Sequence, residues 1–161
     1  NFGRYNYSVA DSSFDTWLDG YTPGAPARKV SIYTEGCLLS FMLDVHLLKF
    51  TDNNYRLDDV MTNLYHKYAI KGIGVTEEIY QTEIEKFTNT SMQWFFDDYV
   101  NGTKDYTPEL IKCFNAVGLK LYSAYSGSEF ASYLGAKIIT ESNETTVLSI
   151  YPNSKTNMRN I

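Results

Sequence analysis

Few side chains in this sequence have the type and spacing to do chemistry. His46 and His66 are its two histidines, and neither stands in an HExxH or comparable ligand spacing. A zinc site needs three converging ligands, so no triad is read here, no metal is expected in the chain itself, and both histidines read as structural or surface residues. No CxxC pair and no Gly-rich phosphate loop occurs. Asp58-Asp59, Glu77-Glu78 and Asp97-Asp98 are paired carboxylates near helix ends. The first two pairs fall in a first turn, where they complement the helix dipole rather than form an acid–base couple. Cys37 and Cys113 read as two buried free thiols. What remains is Tyr33-Thr34-Glu35-Gly36, placed directly before a long apolar run. A phenol at a helix start is either a core aromatic or a hydrogen-bond donor held at a site, and the residues alone leave both open.

The elements that must position this tyrosine follow from periodicity. Ser12-x-x-Asp15 predicts a helix start with Phe14, Trp17 and Leu18 on one face, stopped by Gly20. A Pro/Gly loop over 21–29 follows. Ser31 is expected to cap a helix whose apolar positions go nearly all round between Ile32 and Phe50, making it the buried central helix. Leu57, Val60, Met61, Leu64, Tyr65 and Tyr68 repeat at helical spacing, and Thr76 caps the next helix with Ile79, Tyr80, Ile84 and Phe87. Thr90 with Gln93 reads as a capping box, Gly102 as a stop, and Thr107-Pro108 as the start of a last helix ended by Gly118. Beyond Gly118 the period changes to that of strands: 119–125, 133–140 and 145–151, with Ser142-Asn143-Glu144 as a hairpin turn. Helices first and strands afterwards predict a mainly α fold with a C-terminal β part, in separate units.

Bulk properties exclude several classes. In 161 residues, 43% are hydrophobic and 20% charged, a globular composition rather than a disordered one. The net charge of −5, without a basic stripe, argues against a nucleic-acid partner. Ser40, Asp44, His46 and Lys49 interrupt the apolar run, so it is not a membrane span.

The ordered motifs carry a resemblance. Asp11-Ser12-Ser13-Phe14-Asp15-Thr16-Trp17, a Pro-rich loop, Tyr33-Thr34-Glu35-Gly36 and a long apolar helix with Leu43-Asp44 open the series. Leu57-Asp58-Asp59-Val60-Met61, Gly72-Ile73-Gly74-Val75-Thr76-Glu77-Glu78 and "FFDDYVNGT" continue it. Together these resemble the glycyl aminopeptidase family of zinc metallopeptidases, whose members look like a thermolysin-like catalytic domain followed by a PDZ domain. The resemblance implies that 1–118 is the helical C-terminal part of a gluzincin-like catalytic domain, and that 119–161 is a linker and truncated PDZ-like β segment. In the related aminopeptidase N group, a Tyr-x-x-Gly at a helix start supplies a phenol to the tetrahedral intermediate. Carried over, this makes Tyr33 the catalytic donor, with Gly36 allowing close packing behind it on the substrate-binding side. Leu134-Gly135 would be a peptide-binding turn offering backbone N–H groups to a terminal carboxylate. Glu35 departs from a position where lysine is frequent, and Ile32 from one where a second tyrosine is common.

The same resemblance places the HExxH helix and its third ligand upstream of Asn1. The chain is then a fragment, inactive alone, whose partners are a peptide substrate and the missing N-terminal catalytic half, with zinc in the intact parent and none in this fragment. A missing leader suggests the cytoplasm for a complete protein; for a fragment, a periplasmic or secreted parent is preferred. The rival is a helical protein-interaction module, or a metal-less peptidase relative, with a peptide-binding PDZ-like appendage.

Overall fold

A computed structural model gives the structure over residues 2–19, 30–122 and 133–150. The expected Pro/Gly loop over 21–29, most of the linker and the tail beyond 150 lie outside these described residues. A 3-10 turn, Phe2–Tyr5, precedes α1 (Val9–Asp19), α2 (Ile32–Phe50) and α3 (Leu57–Lys67). A second 3-10 turn, Ala69–Lys71, leads to α4 (Glu77–Thr88) and the short α5 (Gln93–Phe95). A π-helical segment, Phe96–Val100, and α6 (Thr107–Ala116) complete the helical part. β1 (Ala136–Glu141) and β2 (Glu144–Ile150) then form an antiparallel hairpin. The expected fold class, mainly α with a C-terminal β part, is what the described residues show.

α2 organises the core. It meets α1, α3, α4 and α6. Its Leu39, Met42, Leu43, Val45 and Leu47 join Val60 and Leu64 of α3, Ile84 of α4, Phe95, Phe96, and Leu110 and Cys113 of α6 in one cluster. Met42 and Leu47 are wholly buried; each such side chain contributes about 1.5–3 kcal/mol. Burial nearly all round holds only for the stretch 42–47, however. On the first turns Tyr33, Thr34, Cys37 and Ser40 are exposed. Tyr33, Cys37 and Ser40 are spaced by four and three residues and so share one side. Cys37 is therefore not the buried thiol expected, whereas Cys113 is buried.

Local chemistry explains most boundaries. Ser31 Oγ accepts from Thr34 N at the start of α2, and Thr76 Oγ1 from Ile79 N at the start of α4. Pro108 stands in the first turn of α6, where its missing N–H costs nothing. Ser142 and Asn143 both take positive φ, as a two-residue hairpin turn demands. Three boundaries differ from expectation. α1 begins one turn early, because Ser8 and not Ser12 is the cap: Ser8 Oγ accepts from Asp11 N at 2.9 Å and donates to Asp11 Oδ2 at 2.7 Å. Ser12 is instead buried, and Phe14 and Trp17 face outward at 70% and 90% exposure. Thr90 does not cap α5; Glu85 reaches over from α4 and accepts from Met92 N at 2.7 Å. Residues 119–122 form no strand, and Tyr133–Leu134 is a helical turn that Gly135 ends, so β1 starts only at Ala136.

One buried carboxylate ties α3 to α4. Glu83 accepts from Asn63 Nδ2, Lys67 Nζ, Tyr68 Oη and Lys86 Nζ, at 2.6, 2.8, 3.1 and 2.6 Å. Burial pushes its pKa up, but the four donors outweigh it and hold the carboxyl at about 2. No helix among the described residues is long and apolar enough to cross a membrane.

Candidate functional site

The first turns of α2 are fixed from their inner side. Glu35 is 3% exposed and accepts a short hydrogen bond from Tyr106 Oη, just ahead of α6. Arg4 Nε lies 3.9 Å from the same Glu35 oxygen, and its guanidinium stacks over the Tyr106 ring at 5.1 Å. Arg4 also donates to the carbonyls of Gly102, Tyr99 and Lys104 at 2.8, 3.2 and 3.1 Å. A planar fork suits this use, since it can serve several acceptors in a dry place. Burial, with the Glu35 carboxylate next, drives the Tyr106 phenol pKa well up, so it stays a donor. These contacts tie α2, the N-terminal segment and the end of the π segment together.

Tyr33 lies two residues before Glu35, about 200° around the helix. Anchoring Glu35 inward therefore turns Tyr33 outward, where it is 68% exposed. The core-aromatic reading does not describe its position. Neither Arg4 nor Tyr106 carries a local sequence signal for this anchoring role. Glu35 is visible in the sequence only as a carboxylate in the first turn of a helix, and its buried place beside Arg4 would not suit a cation.

Gly36 lines a cavity of about 420 Å³ between α2, α4 and the π segment, together with Ser40, Thr76, Glu77, Tyr80 and Phe96. A Cβ built on Gly36 meets no atom within 4 Å. Close packing behind Tyr33 is thus not what this glycine provides among the described residues; what it provides is open space. Leu134 and Gly135 stand at the entry to β1, with Gly135 at φ 65°. His66 is exposed, edge-on to Tyr65.

The expectation that the chain lacks a ligand triad needs correction. His46, Glu109 and Cys113 offer one ligand atom each, all within 4.8 Å of one another. They join α2 to α6, two elements far apart in the chain, so no sequence spacing could have signalled the full set; only Glu109 and Cys113, at i and i+4 on one helix, share a local pattern.

The M61 glycyl aminopeptidase family model matches residues 1–39. That segment holds α1 and the first turns of α2, including Tyr33, Glu35 and Gly36, and it supports an aminopeptidase-like peptidase relationship. No curated protein and no solved structure matches the chain significantly.

Proposed function

We propose that this chain is the helical part of a gluzincin-like zinc aminopeptidase, residues 1–118, followed by a PDZ-like β segment over 119–161, and that Tyr33 is its oxyanion donor. The observation carrying this reading is the outward Tyr33 phenol on a turn anchored from beneath by Glu35, inside the segment that the peptidase family model matches. In this reading the catalytic zinc of the parent would be held by an upstream half. That half would cover Phe14 and Trp17, whose exposure is otherwise costly for so apolar a pair. When bound, zinc would act as a Lewis acid on the scissile carbonyl. The work of this chain is to hold a phenol O–H where negative charge develops on that oxygen, as the peptide bond is attacked. Gly36 and the cavity it opens would give the substrate room. The Leu134-Gly135 turn would take a peptide carboxylate.

The test is Tyr33→Phe in the zinc-loaded parent. Folding should be unchanged, since the hydroxyl is outside the core. The expected fall in kcat is on the order of 10²–10³ with little change in KM, because the bond is made mainly in the transition state. Turnover within about threefold of wild type would remove Tyr33 from the chemistry. The second reading, an interaction module, rests on the same exposed aromatic residues; an upstream sequence without HExxH would favour it.

A further inference from the structure

We infer that His46, Glu109 and Cys113 form a transition-metal site of the zinc type, closed between α2 and α6. It rests on residues of this chain alone and does not depend on the peptidase reading. His46 is 6% exposed, and neither Nδ1 nor Nε2 makes a hydrogen bond. Its Nε2 nevertheless lies 3.4 Å from Glu109 Oε1. Ligands about 2.0–2.1 Å from a tetrahedral ion sit about 3.3 Å apart, so this pair already has the spacing of two zinc ligands. With all three ligand atoms inside 4.8 Å, about 1 Å of closure by side-chain rotation completes the set.

The donor types agree. One imidazole, one carboxylate and one thiolate are a borderline-to-soft set that suits Zn²⁺ or Co²⁺ and not Mg²⁺ or Ca²⁺. Desolvation, opposed by Glu109, lowers the His46 pKa, which favours the neutral ring whose lone pair an ion needs. Burial pushes the Cys113 thiol up to about 11; a bound ion would displace its proton to solvent. A carboxylate and a thiolate would then neutralise the dication, which avoids leaving net charge in a buried place. Lys112 Nζ holds the other Glu109 oxygen at 2.7 Å, which leaves Oε1 aimed at His46. Phe50, Trp94 and Phe95 rings pack around the imidazole. Three protein ligands leave a fourth position for water or another donor.

The test is titration of the chelator-treated, reduced chain with Co²⁺ alone, in a Cys37→Ser background that removes the exposed thiol. The expected result is one Co²⁺ per chain, with a thiolate-to-cobalt charge-transfer band and intense tetrahedral d–d bands. Cys113→Ala should abolish the charge-transfer band. Glu109→Gln, a milder change at a partly exposed side chain, should weaken binding at least tenfold, with far-ultraviolet circular dichroism confirming the fold. Zn²⁺ at a hundredfold excess over its Kd should raise Tm by about 5 °C or more. No bound equivalent at micromolar Co²⁺, or a band that survives Cys113→Ala, overturns the assignment. Binding unchanged by Glu109→Gln overturns it equally, and this variant decides the matter even where Cys113→Ala fails to fold.

Discussion

Replacing Gly36 by alanine separates the two reasons a glycine can stand in the first turns of α2. Inside a helix, glycine costs about 0.5–1 kcal/mol relative to alanine, because it has more backbone freedom to lose. That gain is realised only if the methyl group meets nothing. Here a Cβ on Gly36 has no atom within 4 Å, and the residue faces a cavity of about 420 Å³. No overpacking offsets the gain, so Gly36→Ala should stabilise the protein by about 0.5–1 kcal/mol. At this chain length that is a rise in Tm of about 1–4 °C. Thermal unfolding followed by circular dichroism reads it directly. A loss of stability of 0.5 kcal/mol or more would refute the reasoning, since it would mean that something occupies the space beside Gly36. The functional arm has the opposite sign. If the space serves the substrate, the same variant in the zinc-loaded parent raises KM while the fold becomes more stable, the usual opposition between a site's needs and the scaffold's. A variant both more stable and fully active would remove Gly36 from the substrate-binding side.

Two further outcomes follow from the packing. Glu83 has a folded-state pKa of about 2 against an ordinary 4.5, so its contribution is present above the ordinary value and lost as pH falls from about 5 through 2. At about 1.4 kcal/mol per pH unit the difference is at most about 3.5 kcal/mol. It shrinks in high salt, because Lys67 and Lys86 are half exposed. Urea unfolding across that range should show the loss, and Glu83→Gln should flatten it; an equally steep acid transition in the variant would assign it elsewhere. Gly102→Ala should destabilise by at least about 1–3 kcal/mol, since its Cβ would stand 2.2 Å from Asp97 O and 2.8 Å from Asp98 O. An unchanged Tm would show that the backbone at the end of the π segment shifts to admit the methyl group without cost.

The sequence by itself determined the local punctuation and the fold class. Ser31 and Thr76 cap where their spacing to the next apolar run says they should, Pro108 opens α6, and Ser142-Asn143 turns the hairpin. Each of these depends on the φ, ψ and side-chain reach of a few consecutive residues, which is information that a sequence carries. It also marked Tyr33 as the residue whose placement mattered, although not which way it faces. Tertiary structure decided that. A helix apolar on nearly every side offers no pattern to say which stretch is covered, and the answer depends on where α1, α3, α4 and α6 lie along α2. Ser8 outcompeting Ser12 as a cap, and Glu85 displacing Thr90, are decisions of the same kind: two candidate acceptors were on offer, and burial or a reach from another helix chose between them. The Arg4–Glu35–Tyr106 anchor and the His46–Glu109–Cys113 cluster lie furthest from the sequence's reach. Their members come from segments about 30 to 100 residues apart, and charges or ligands so separated meet only where the packed apolar faces between them bring them together.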